Sequence, residues 1–153
     1  MQYHCEAIQQ PAQPVLFIRT KTTVQDLPQV LGRGYGAIMQ FLEKAKEQPV
    51  GPPFVAYYNM DMSDLDIELG FPVSSTLAGK EPIQAGSIPA CQAASCEFTG
   101  PYPELGLAYE ELTTWIRENG HAATGVVYEF YLNDPMQTPA EELKTKIMFL
   151  LKK

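Results

Sequence analysis

Apolar positions along the chain change their spacing in an order that repeats. Residues 15–20 form a short apolar run that predicts a strand. From residue 27 to about 45, Leu27, Leu31, Tyr35, Ile38, Phe41, Leu42 and Ala45 fall on one stripe at helical spacing, with Pro28 suited to the first turn. Residues 54–59 predict a strand. Residues 65–73 alternate Leu65, Ile67, Leu69 and Phe71 against Asp66, Glu68 and Gly70, the period of a second strand. The same series then returns. A strand is predicted over 88–98, and Gly100-Pro101-Tyr102-Pro103 turns into a helix whose buried stripe is Leu105, Ala108, Tyr109, Leu112 and Ile116. Asn119-Gly120 stops that helix. Strands over 126–132 and 143–151 follow, with Asn133-Asp134-Pro135 as a turn. Gly32, Gly34 and Gly36 each weaken the first helix by about 1 kcal/mol relative to Ala, which points to close packing or to a weak helix start.

The two series align on each other without a gap. At an offset of 74, residues 31–69 meet 105–143 with nine identities in 39 positions: Leu31/Leu105, Gly32/Gly106, Tyr35/Tyr109, Gly51/Gly125, Tyr57/Tyr131, Asn59/Asn133, Met62/Met136, Glu68/Glu142 and Leu69/Leu143. The expected architecture is α+β: an antiparallel sheet with two helices on one face, built from a duplicated β-α-β-β unit about a pseudo-twofold. Half one spans about 3–73 and half two about 88–151. A Gly-, Pro- and Ser-rich stretch over 74–87 is the linker, and the whole chain forms one domain.

Strand alternation divides residues 126–132 into two faces. Val126, Tyr128, Phe130 and Leu132 are uniformly apolar and are expected under the helices. Val127, Glu129 and Tyr131 are then expected on the open face. The offset carries the same assignment to Val55 and Tyr57, so Val55, Tyr57, Val127, Glu129 and Tyr131 are expected to line one groove between the halves. A carboxylate rarely stays buried without a partner. Glu129 among aromatic rings would draw in a ligand cation, with tyrosine faces adding cation–π contacts of about 0.5–2 kcal/mol each. The opposing reading is a solvated side chain on the polar face of an antiparallel sheet.

The same segments carry a family resemblance. Phe98-Thr99-Gly100-Pro101-Tyr102, the helix end Leu112-Thr113-Thr114-Trp115-Ile116-Arg117-Glu118-Asn119-Gly120, and Tyr128-Glu129-Phe130-Tyr131-Leu132-Asn133-Asp134-Pro135 resemble the GyrI-like small-molecule-binding domain, also called the AraC-type effector-binding or multidrug-binding domain. Gly51-Pro52-Pro53-Phe54-Val55-Ala56-Tyr57-Tyr58 and Gly70-Phe71-Pro72-Val73 fit it as well. The resemblance implies a pseudo-symmetric fold and a glutamate, here Glu129, that contacts cationic ligands. It implies a stand-alone sensor or sequestering module for small lipophilic or cationic molecules, since no helix-turn-helix segment precedes the first strand. Relatives of two other kinds imply two alternatives. One is a hydrolase of strained-ring or ester compounds using Glu129 and Tyr131. The other is a protein that inhibits DNA gyrase by binding it.

The remaining features narrow the picture. A net charge of −7 disfavours nucleic acid as a direct partner and mildly favours cationic ligands. No apolar run approaches the roughly 20 residues of a membrane span, and MQYHCEAIQQ is no signal peptide. Cys5, Cys91 and Cys96 are expected as free thiols in a reducing cytoplasm, with Cys91 and Cys96 on opposite strand faces. No metal-ligand spacing or phosphate-cradling loop is present, so no cofactor is expected. His121 suits a helix C-terminus. Trp115 is expected at the helix edge, with a place in the groove as the lesser alternative. No feature identifies a protein partner.

Overall fold

The computed structural model describes residues 4–75 and 77–153. Its elements are β1 (His4–Gln10), β2 (Gln13–Thr22), α1 (Leu27–Lys44), β3 (Phe54–Tyr57), β4 (Leu65–Pro72), β5 (Gln84–Ile88), β6 (Cys91–Thr99), α2 (Leu105–Glu118), β7 (Ala123–Tyr131) and β8 (Lys144–Leu151). They form two compact units. The α1 unit is Pro11–Ala90, with strand order β3-β4-β2-β5. The α2 unit is Met1–Gln10 with Cys91–Lys153, with strand order β7-β8-β6-β1. Every pairing within each unit is antiparallel, so the class is α+β as the periodicity predicts. Strand for strand, the two orders match. Among the described residues no helix is long and apolar enough to cross a membrane.

Two strands depart from the sequence reading. Residues 84–88, expected in the linker, form β5 and pair with β2 from Phe17↔Gln84 to Gln13↔Ile88. The strand expected over 88–98 is therefore two strands, broken at Pro89. β1 pairs with β6 from His4↔Glu97 to Gln10↔Cys91. Both are edge strands with mostly exposed or half-buried side chains, so neither carries the apolar alternation that marks a strand. Their pairing is crossed. β1 runs directly into β2 but pairs with β6; β5 runs directly into β6 but pairs with β2.

Register also corrects the end of the self-alignment. Tyr57 faces Ile67, and Tyr131 faces Thr145. β8 thus matches β4 at an offset of 78, because the loop after β7 is longer than the loop after β3. Leu69 corresponds to Ile147, and Leu143 to Leu65; Glu142 lies in the 3-10 turn Ala140–Glu142, away from any match with Glu68. The asparagines at offset 74 keep one role. Asn59 donates to the Asp64 carbonyl and accepts from the Asp66 N–H, and Asn133 does the same with Glu142 and Lys144. Each closes the mouth of its loop.

Each helix packs on one face of its own sheet. In the α1 unit a Cβ added at Gly34 would lie 2.4 Å from Leu69 Cδ1, so α1 sits directly over Leu69. The alternate residues Asp66 and Glu68 face away and hold Arg19 at 2.7 and 3.3 Å. In the α2 unit Ala108, Leu112 and Ile116 share a core with Phe98, Val127, Ile147 and Phe149. α2 ends as its Asn-Gly signal predicts. Gly120 takes φ +74°, its N–H reaches the Arg117 carbonyl, and the His121 N–H reaches that of Ile116.

The glycine-rich start of α1 separates into two kinds of position. Gly34 buys close approach, whereas nothing lies within 4 Å of a Cβ at Gly32 or Gly36. Gly32→Ala and Gly36→Ala should each stabilise the protein by about 0.5–1 kcal/mol, through the unfolded chain's lost freedom. Gly34→Ala should destabilise it, since Leu69 must move. Urea denaturation of the three variants checks this; equal shifts for all three would remove the packing account.

Candidate functional site

The faces of β7 are the reverse of those expected. Val127 belongs to the core beneath α2, so Glu129 and Tyr131, two and four residues on, also point toward α2. Tyr128 and Phe130 occupy the other face, stacked at 6.0 Å, and both are buried. A uniformly apolar set points to the helix side only where one face alone is covered. Both faces of β7 are buried, so alternation alone cannot choose between them. The same reversal holds in β3, where Val55 lies opposite Leu69 and so shares the α1 face with Tyr57.

Glu129 is 7% exposed and is bracketed by two phenols. The Tyr131 hydroxyl donates to Oε1 at 2.8 Å, and the Tyr109 hydroxyl, from α2, donates to Oε2. Tyr102, from the 3-10 turn leading into α2, packs tilted on Tyr131 with ring centroids 5.6 Å apart. Tyr109 is fixed in turn by an edge contact to Phe149 at 5.6 Å. All three tyrosines are half-buried, so the carboxylate has an aromatic rim. On the β8 side its strand neighbours offer no charge: Glu129 faces Ile147, and Ile147 faces Cys96.

Electrostatics follow from this enclosure. Burial pushes the Glu129 carboxyl above its ordinary range, and the two phenol hydrogen bonds offset part of that rise. Burial, and then the nearby Glu129 charge, raise the Tyr102 hydroxyl. Among the described residues no ion pair reaches Glu129; the pairs involve Arg19, Lys21 and His4. The result is a poorly solvated carboxylate, oriented by two donors and without an internal cation. The α1 unit has no counterpart. Val55 stands where Glu129 does, and Tyr35, the match of Tyr109, donates instead to the Phe54 carbonyl at 2.8 Å.

Of the residues singled out from sequence, Glu129, Tyr131 and Val127 come together beneath α2. Val55 and Tyr57 belong to the α1 unit. Trp115 stacks on His121 with centroids 5.9 Å apart, about 9 Å along α2 from Tyr109. Tyr102 and Tyr109 were missed as site residues. The Tyr35/Tyr109 identity was visible, but a tyrosine on an apolar helical stripe reads first as core. An open hollow on the α1 unit is lined by Ala37, Gln40, Phe41, Lys44, Ala45 and Lys80. It contains no buried polar group, so Glu129 remains the better site.

A carboxylate enclosed by tyrosines thus lies on the helix-covered face of the α2 unit. The model of the GyrI-like small molecule binding domain matches residues 4–152. The chain belongs to the GyrI-like family. Among solved structures, this GyrI-like chain resembles EcmrR in the EcmrR–DNA complex in EcmrR-RPo, at TM-score 0.85 and 23% identity over 99% of its length; it spans 58% of that longer chain. It resembles a hydrolase from Listeria innocua at TM-score 0.70 and 16% identity, covering 97% of this chain and 91% of that one. It also resembles SAV2435 bound to tetraphenylphosphonium, at TM-score 0.65 and 12% identity, covering 99% and 94%. At these identities the likeness establishes the fold. No curated protein matches the GyrI-like chain in sequence.

Proposed function

We propose that the protein binds small lipophilic cations at Glu129, as a cytoplasmic sensing or sequestering module. The observation that carries this reading is the buried, doubly hydrogen-bonded carboxylate that lacks an internal cation. Such a group gains most from a positive partner, because an unpaired buried charge is costly and a paired one much less so. The rim of Tyr102, Tyr109 and Tyr131 adds aromatic faces suited to a delocalised cation. Support also comes from family membership and from the tetraphenylphosphonium complex of a structural neighbour. Free Cys5, Cys91 and Cys96 fit a reducing compartment.

The test uses the native protein, titrated calorimetrically with tetraphenylphosphonium and with neutral triphenylphosphine oxide. At pH 7.5 the cation should bind about tenfold tighter or better, the scale of one close charge pair. The preference should contract on acidification. Because the Glu129 carboxyl lies above its ordinary range, it becomes neutral at a higher pH than an exposed glutamate. Equal affinities at pH 7.5 would sink the reading. The Glu129–Tyr131 pair also suits a general base with a phenol beside it. Product formed from an ester or strained-ring compound, and lost in Glu129→Gln, would move the assignment to hydrolysis.

A further inference from the structure

Thr145 is completely buried, and its hydroxyl is the one buried side-chain polar atom without a hydrogen-bond partner among the described residues. A buried unsatisfied hydroxyl is disfavoured, and its retention calls for an explanation. Its position supplies one. Thr145 lies directly across from Tyr131, on the face turned toward α2, and diagonally from Glu129. Diagonal neighbours of an antiparallel pair are about 7–8 Å apart at Cα, within reach of one polar group placed between them.

The other unit shows that the fold does not need this hydroxyl. The residue corresponding to Thr145 is Ile67, which faces Tyr57 as Thr145 faces Tyr131 and is fully buried. The residue corresponding to Glu129 is Val55. Two apolar positions of the α1 unit are thus replaced by polar ones in the α2 unit, on the same face and in adjacent rows. A carboxylate and a hydroxyl thus stand side by side on one face of the α2 unit.

We propose that Thr145 is a second polar contact of the Glu129 site, and that the site takes cations carrying N–H groups. One N–H of an ammonium or aminoaryl cation donates to the Glu129 carboxylate and another to Thr145 Oγ1. Thr145 is closed off in the free protein, so the proposal requires the half-buried Tyr131 across from it to turn aside when the ligand enters. The inference rests on the reading of Glu129 as the cation site and adds the hydrogen-bonding class of the ligand.

The experiment compares proflavine, a planar cation with two amino groups, with tetraphenylphosphonium, which has no N–H. Both are titrated against the native protein, Thr145→Val, Thr145→Ser and Glu129→Gln, with folding checked by circular dichroism. Thr145→Val should weaken proflavine by about tenfold, the scale of one lost hydrogen bond to a charged ligand, and leave tetraphenylphosphonium within about twofold. Thr145→Ser keeps the hydroxyl and should bind both as the native protein does. Equal losses for the two cations in Thr145→Val, no loss for either, or no saturable binding to the native protein overturns the proposal. Glu129→Gln separates the two readings. If it weakens tetraphenylphosphonium while Thr145→Val spares proflavine, the Thr145 inference fails alone. If it leaves both cations unchanged, the cation-site reading fails.

Discussion

Glu129→Gln should raise stability at neutral pH while lowering tetraphenylphosphonium affinity by about ten- to a hundredfold. The substitution keeps the shape of the side chain, and its amide oxygen still accepts from a phenol. It removes a charge that the free protein holds in a poor solvent. A glutamate whose carboxyl is raised in the folded state contributes stability that is fully present below its ordinary value of 4.5, and loses it as pH rises through the folded value. At pH 7.5 the native protein therefore carries a cost that the glutamine variant lacks. The difference in melting temperature should be largest at neutral pH and should shrink on acidification toward pH 5. Thermal melts at both pH values, with and without the cation, measure it. A variant that is less stable at neutral pH and binds the cation undiminished would make Glu129 a structural residue.

Phe98→Ala should cost about 3–5 kcal/mol, a large share of the roughly 5–15 kcal/mol of a typical domain. The ring is fully buried in the core beneath α2 and lies opposite Thr145 in the next strand pair. Its removal takes away apolar burial and leaves a cavity that flanking strands cannot close, because their register is fixed on both sides. Leu107, on the outer side of α2, is 51% exposed, and Leu107→Ala should stay within about 0.5 kcal/mol. Chemical denaturation followed by circular dichroism compares the two. A loss below 1 kcal/mol for Phe98→Ala would mean that the core under α2 yields easily.

The fold was legible wherever burial was one-sided. The stripes of α1 and α2, and the alternation of β4, follow from one face meeting a core and the other meeting water. β1 and β5 were not legible, because an edge strand buries little and its polar side chains resemble a linker. The carboxylate at Glu129 stands out in sequence for its apolar neighbours, and in the structure it is buried and accepts from two tyrosine hydroxyls. Its direction was misread because Tyr128 and Phe130 on one side and Val127 on the other are all buried. Tyr109 could not be recognised as its donor from the chain alone: the helix had to be docked on the strand before the two met. Thr145 was hidden for a related reason. A threonine in the alternating run of β8 is an ordinary strand residue until its missing partner is seen.

The crossed pairing of β1 and β5 ties each unit to sequence from the other repeat. Removing residues 4–10 would leave the Pro11–Ala90 unit with all its strands and strip an edge from the unit that holds Glu129, although that glutamate lies over a hundred residues away. Cleavage within residues 4–10 is thus a change to the sheet that carries Glu129. A half-chain cut in the stretch between the repeats would carry one strand made for the missing half and lack the strand made for itself. Two such halves have complementary unpaired edges, which is the relation between protomers that exchange an arm. Within one chain the connecting segment, and not protein concentration, sets how often such edges meet.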